Sequence, residues 1–142
     1  MRDMYNNLIP AIAIAAAAYD ADNTPGAVDL FEFDGALVEI GVGVGGITFS
    51  GTNKIEFLLT HSNDDSTYDA VELADVQGPV SVTDGIIKTL NSAHAAATLS
   101  RVGYVGGRRY LKLLADFSGT HGAATPIAAS VIKAHPRRAP VA

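Results

Sequence analysis

Three segments of this chain alternate apolar and polar residues with a period of two, and that rhythm commits most of the chain to β-sheet. In residues 36–44 one face reads Ala36, Val38, Ile40, Val42, Val44, and the other Leu37, Glu39, Gly41, Gly43. In residues 54–62 Ile55, Phe57 and Leu59 alternate with Lys54, Glu56, Leu58 and Thr60. In residues 109–117 Leu111, Leu113, Ala115 and Phe117 alternate with Tyr110, Lys112, Leu114 and Asp116. Successive side chains of a strand point to opposite faces, so each segment buries one face, as antiparallel sheets allow.

Further strands are expected at 12–19, 28–33, 68–73, 85–89, 101–105 and 126–133, the last opening on Pro126. Turn signals separate them: Asn23-Thr24-Pro25-Gly26, Phe33-Asp34-Gly35, Gly45-Gly46, Asn63-Asp64-Asp65-Ser66, Gln77-Gly78-Pro79, Asp84-Gly85, Gly106-Gly107 and Ser118-Gly119-Thr120. About eight or nine short strands at this spacing read as one all-β domain, an antiparallel β-sandwich or jelly roll. Residues 91–99 begin with Asn91 and continue through helix formers, which suggests a helical turn or a loop. Residues 1–10 are expected to form an extended N-terminal arm. Residues 135–142 hold Pro136, Pro140, Arg137 and Arg138 and are expected to form a C-terminal tail that cannot pair in a central strand.

The chain has 142 residues, one domain's length, and buries roughly 70% of its unfolded surface on folding. Only 18% of the residues are charged, while 48% are apolar and much of that is alanine. A surface so poor in charge suits a protein covered by neighbours. The net charge of −5 argues against nucleic acid as a direct ligand. There is no cysteine, so disulfides, thiolate nucleophiles and Cys-based zinc sites are excluded together. Arg2 followed by the apolar run 9–18 has some look of a secretory signal, but Asp3 cancels the charge and Pro10 interrupts the run. No stretch reaches the ~20 apolar residues of a membrane-spanning helix.

Motifs that carry chemistry are weak. The glycine run 41–46 is followed by Ile47-Thr48-Phe49-Ser50-Gly51 rather than by a helix, so it lacks the context of a dinucleotide site. Asp64 and Asp65 lack the spacing of a calcium loop and fit a hairpin tip. His61, His94, His121 and His135 form no zinc pattern and read as exposed polar positions, with His61 ending a strand. There is no Gly-x-Ser-x-Gly elbow, and Glu39 and Glu56 fall on outer strand faces. No catalytic, cofactor or metal residue is assigned. Arg108 and Arg109 enter a strand after Gly106-Gly107, and three readings stay open: an intersubunit anchor, an edge charge that blocks strand pairing, or an internal ion pair.

Three stretches carry a resemblance. The first is Val28-Asp29-Leu30 leading into the glycine-rich strand 36–46. The second is the hairpin 57–68, with Thr60-His61-Ser62-Asn63-Asp64-Asp65-Ser66-Thr67-Tyr68. The third is Gly103-Tyr104-Val105-Gly106-Gly107-Arg108-Arg109-Tyr110-Leu111, followed by an alternating strand, an Ala-rich strand and Pro136-Arg137-Arg138. Together they resemble the capsid decoration (cement, head-stabilising) proteins of tailed bacteriophages. The resemblance implies a jelly-roll-like sandwich, made in the host cytoplasm and seated on the capsid's outer surface. There it would clamp neighbouring major capsid protein subunits as a homo-dimer or homo-trimer, with no catalysis, cofactor, membrane or direct nucleic-acid contact. Interface residues are expected in the arm (Arg2, Met4, Tyr5), at the Arg-Arg turn (Arg108, Arg109, Tyr110) and in the tail (Arg137, Arg138). Two other readings remain: a head–tail connector or tail component, and a carbohydrate-binding sandwich. The second is disfavoured by the absence of tryptophan and the scatter of Tyr5, Tyr19, Tyr68, Tyr104 and Tyr110.

Overall fold

The computed structural model describes residues 3–78 and 81–138; Arg2, Pro79 and the tail beyond Arg138 lie outside the described residues. Among the described residues ten strands follow one another: β1 (Ile9–Tyr19), β2 (Val28–Asp29), β3 (Phe33–Val42), β4 (Lys54–Ser62), β5 (Asp69–Ala70), β6 (Val76–Gln77), β7 (Ile86–Leu90), β8 (Thr98–Tyr104), β9 (Tyr110–Ser118) and β10 (Thr125–Pro136). They form two antiparallel sheets packed face to face, an all-β sandwich. Sheet A has the order β1-β10-β3-β8-β6. Sheet B has the order β2-β9-β4-β5, with β7 also paired to β4.

The pairing is nested. β1 pairs with β10, β2 with β9, β3 with β8 and β4 with β7, all antiparallel. This is the pattern of one long two-stranded ribbon folded over, so that successive strands pass from sheet to sheet. The further pairings β10–β3 and β4–β9 then knit the turns of the ribbon into sheets.

The expected alternation sets the core. Val38, Ile40 and Val42 of β3 and Ile127, Ala129 and Val131 of β10 face Ile55, Phe57 and Leu59 of β4 and Leu111, Leu113 and Ala115 of β9, all buried. Each of the larger of these side chains contributes about 1.5–3 kcal/mol by leaving water.

Several boundaries differ from expectation. The arm is shorter than residues 1–10, because β1 takes in Ile9 and Pro10, paired with Lys133 and Ile132. Proline is tolerated there because β1 is the outermost strand of sheet A. The tail is shorter than residues 135–142, because β10 runs on to Pro136, paired with Phe33. The β1 ladder ends at Lys133, so beyond it β10 has a ladder partner on one side only, and a missing N–H there costs no ladder bond. Arg137 then holds the chain down: its N–H donates to the Glu32 carbonyl at 2.8 Å and its Nε to Asp34 at 2.7 Å.

The strand expected at 28–33 breaks at Asp29, whose carboxylate accepts the Phe31 N–H at 2.8 Å. Glu32 then turns the chain at positive φ, so the turn precedes Phe33 rather than falling at Phe33-Asp34-Gly35. The strand expected at 36–44 stops at Val42, which leaves Val44 exposed. Residues 91–97 form a loop without helix. The strand expected at 68–73 shortens to β5 and gives way to a single 3-10 turn, Leu73–Asp75. There the Asp75 carboxylate accepts the Glu72 N–H at 2.9 Å.

Candidate functional site

The outer face of sheet A can be read across its ladders. One row is Pro10, Ile132, Leu37 and Gly103; the next is Ile12, Ser130, Glu39 and Arg101. The row after that places Ala128 and Gly41 between the flank of β1 and Leu99. Glu39 and Arg101 are the only charged residues in these rows. The central strands carry almost no side chain here, so they form a trough of about 510 Å³ lined by Ala16, Gly41, Leu99, Pro126 and Ala128, among others. A second hollow of about 330 Å³ shares Ala16, Gly41, Leu99 and Ala128 with it and reaches Ile12. Ile12 and Leu99 stand as rims, 76% and 72% exposed. Water gains nothing from such a surface, and contiguous exposed apolar patches on soluble domains mark contact sites.

The sandwich end where β1, β3 and β9 begin and β10 finishes gathers most of the residues singled out in sequence. Met4 and Tyr5 are exposed on a turn held by Asp3, whose carboxylate accepts the Asn6 N–H at 3.1 Å. Arg109 forks onto Asp29 through Nε and Nη2, at 2.8 and 2.7 Å. Its guanidinium also lies 4.8 Å from the Phe31 ring centre and 4.9 Å from that of Tyr110. The Arg109 fork holds the Asp29 carboxyl below its ordinary range. Arg108 pairs with Asp69, and Arg137 with Asp34. Of the three readings kept open for the Arg-Arg turn, the geometry realises the internal ion pair for both arginines. Arg138 is exposed, and Arg2 lies outside the described residues.

Sequence reasoning missed a third place. His61 is not an exposed polar residue: it is 4% exposed and occupies the inward position that follows Ile55, Phe57 and Leu59. The alternation itself was the signal, overlooked because the next inward residue is polar. Its Nδ1 meets the Tyr104 hydroxyl at 2.9 Å, joining the inner faces of the two sheets, and the Arg108 N–H donates to the same hydroxyl at 3.1 Å. Nε2 of His61 faces an open-mouthed cleft of about 530 Å³, lined also by Asp69, Glu72, Asp75, Gly106 and Arg108. A carboxylate oxygen of Asp75 stands 3.9 Å from that Nε2. Burial, and after it the Arg108 charge, pushes the His61 pKa down, so the imidazole is neutral at neutral pH. Burial likewise raises the Tyr104 phenol. Glycine is required at position 106, because a Cβ there would stand 2.7 Å from the Asp75 carboxylate and 2.9 Å from the Tyr104 ring. No hydroxyl or thiol nucleophile is among the residues lining this cleft.

Comparisons with protein-family models, with curated proteins and with solved structures found no match to this chain. Its own surfaces therefore carry the functional reading.

His94 and His121 anchor loops at the opposite end, whereas His135 lies in β10 beside Pro136. Nε2 of His94 donates to the Gly43 carbonyl at 2.8 Å, and Nε2 of His121 to the Ser118 carbonyl at 2.9 Å. Both rings lean on Phe49. At the hairpin tip the Asp64 carboxylate accepts the Thr67 and Ser66 N–H groups and the Ser62 hydroxyl, which lowers its pKa to about 2. No group of three metal-ligating side chains occurs among the described residues.

Proposed function

We propose that this chain is a non-enzymatic structural protein of a tailed-bacteriophage virion. In this reading it decorates the outer surface of the capsid and bridges neighbouring major capsid protein subunits as a homo-dimer or homo-trimer. The observation that carries the reading is the outer face of sheet A, an Ala- and Gly-floored trough with bulky exposed rims and one charge of each sign. Such a face gains free energy when another protein covers it. The nested strand order supports the jelly-roll form of the sandwich, an architecture used in viral capsid domains. Met4 and Tyr5, held out on the turn that precedes β1, offer a second pair of exposed bulky side chains for such a contact. A protein that binds only the assembled shell stabilises that shell by mass action, and repeated copies add through avidity.

The test is to mix purified protein with undecorated heads and map its position and copy number by electron microscopy. Density at two- or threefold sites over the shell is expected. Deleting residues 3–7 is expected to lower occupancy without unfolding the domain. A single sixfold or twelvefold ring would move the protein to the connector or tail. No association with heads at all would end the reading.

A further inference from the structure

The outer rows of β3 and β8 run in unbroken register: Leu37 beside Gly103, Glu39 beside Arg101, and Gly41 beside Leu99. All six point away from the core, since Val38, Ile40 and Val42 on one strand and Val102 and Tyr104 on the other are the buried alternates. Each row sets a bulky side chain beside a glycine, or one charge beside its opposite. The order reverses between the strands: β3 reads large, acidic, bare, while β8 at the same levels reads bare, basic, large. Glu39 and Arg101 are cross-strand neighbours, yet neither forms an ion pair among the described residues.

Such a surface is complementary to itself. A twofold axis lying between two face-to-face copies, parallel to the strands and over the seam between β3 and β8, carries every β3 residue onto its β8 neighbour in the other copy. Leu99 of the second copy then stands over Gly41, Leu37 over Gly103 and Glu39 over Arg101. Each contact is made twice, because a twofold interface is isologous. Leu99 is mostly exposed and Gly41 floors the trough, so a knob meets a hole. Packed sheets keep their strand directions within about 30° of each other, which this axis respects. The same operation sets β10 over β6, a strand of two residues, and leaves β1 beyond the edge of the second copy. The β1 flank, with Ile12, therefore stays free on each copy.

We infer that two copies of this chain pair through the outer face of sheet A, with β3 of each against β8 of the other and Glu39 reaching Arg101 across the seam. The inference rests on the reading of that face as a contact surface and names its first occupant. A second copy takes the β3–β8 half, and the two β1 flanks are left to bridge neighbouring capsid subunits.

Sedimentation equilibrium of the purified protein, without heads, tests it. The parent is expected to be a dimer. Glu39→Arg makes both sides of each charge contact basic, and Arg101→Glu makes both acidic. Each is expected to weaken self-association at least about a hundredfold. Mixed in equal amounts, the two variants again offer an acid to a base at each contact, and the mixture is expected to sediment as a dimer. Repulsion inside one chain is the same alone and in the mixture, so recovery on mixing has only an intermolecular source. Gly41→Leu fills the hole. A Cβ there meets the Ala128 carbonyl at 3.5 Å, an ordinary contact, so the fold is kept. It is expected to weaken the dimer at least about tenfold, and it serves alone if near-ultraviolet circular dichroism shows that a charge variant has lost the fold. A monomeric or trimeric parent overturns the inference. So does a dimer that Gly41→Leu and the folded charge variants leave unmoved, or a mixture of two folded, monomeric charge variants that stays monomeric. Decoration of heads is scored separately. A monomer that still decorates them sinks the pairing and keeps the virion reading, whereas a dimer with the expected pattern that never associates with heads keeps the pairing and sinks the virion reading.

Discussion

Sheet A and sheet B obey the same alternation inwards and are different materials outwards. On sheet B the outward residues of β4 and β9 are Lys54, Glu56, Leu58 and Thr60 opposite Ser118, Asp116, Leu114 and Lys112. Lys54 and Glu56 pair at 2.7 Å, and the Lys112 ammonium lies 4.0 Å from the Tyr68 ring centre. That face is an ordinary solvated one. On sheet A the corresponding positions carry alanine, glycine, proline, leucine and isoleucine, with Ser130 the uncharged polar residue and Glu39 and Arg101, directly opposite each other, the charged exceptions. A sandwich needs only its inner faces to be apolar. An outer face that is also apolar is surplus to folding, and it is the face on which the proposed contact with the shell rests. The low charge content is thus concentrated on one face rather than spread evenly.

The largest expected effect breaks this comparison directly. Ile12→Asp with Leu99→Asp places two charges on the rims of the sheet A trough. Both side chains are mostly exposed, so thermal stability should move by less than about 1 kcal/mol. Occupancy on undecorated heads should fall more than about a hundredfold, since central apolar anchors are worth at least about 2 kcal/mol each. The matched pair Thr60→Asp with Leu114→Asp adds the same charge to sheet B and should leave occupancy unchanged. Equal losses from both pairs, in a head-binding assay, would show that the two faces do not differ in function.

Next in size is the polar link between the inner faces. Tyr104→Phe removes the hydroxyl that meets His61 and accepts the Arg108 N–H, leaving two groups without partners. The expected cost is about 1–3 kcal/mol in urea unfolding, with the slope unchanged. A Tyr104→Phe variant as stable as the parent would show that the two sheets are held by apolar packing alone.

How far these features were legible depends on how local their causes are. The span of β4 and the buried trio Ile55, Phe57 and Leu59 follow from alternation within nine residues, and the sequence expectation matches them. The partner of Arg109 is eighty residues away at Asp29, and β1 pairs Ile9 with Lys133; no short-range signal encodes either. Strand continuation through Pro136 depends on where β1 ends, which is a property of a neighbour rather than of β10. The sheet A face was implied only as a shortage of charge. Its location needed the ladders that bring Ile12, Ala128, Gly41 and Leu99 onto one surface.

The free edges of the sheets sharpen the comparison at a smaller scale. On sheet B, side chains satisfy the edge of β9: Asn23 Oδ1 accepts the Ala115 N–H at 2.7 Å, Asn23 Nδ2 donates to the Leu113 carbonyl at 3.2 Å, and Asp22 accepts the Phe117 N–H at 2.7 Å. Sheet A is edged instead by β1, which has no charged residue but holds Pro10 and two register irregularities. Both devices discourage indiscriminate strand addition. Asn23→Ala should cost about 1 kcal/mol and speed hydrogen exchange of the Ala115 amide, because that N–H loses its partner. An unchanged exchange rate would mean that the edge is protected by something other than Asn23.

The smallest effect concerns the one carboxylate on the charged face that sits against its like. Asp116 lies directly across from Glu56 in the β4–β9 ladder, and burial, followed by the charges of Asp22 and Glu56, raises its carboxyl above the ordinary value. A carboxyl whose pKa is raised on folding favours the protonated native state. The penalty is therefore absent below the unfolded value, grows as pH rises through the folded value, and is complete at neutral pH. Asp116→Asn should accordingly stabilise the protein by a few tenths of a kcal/mol at about pH 7, the scale of a like-charge cross-strand pair, and by nothing near about pH 3. Urea unfolding of parent and variant at the two pH values checks it. A gain that persists undiminished in acid would place its origin in packing rather than charge. The solvated face of sheet B would then tolerate crowded charge as freely as the comparison with sheet A requires.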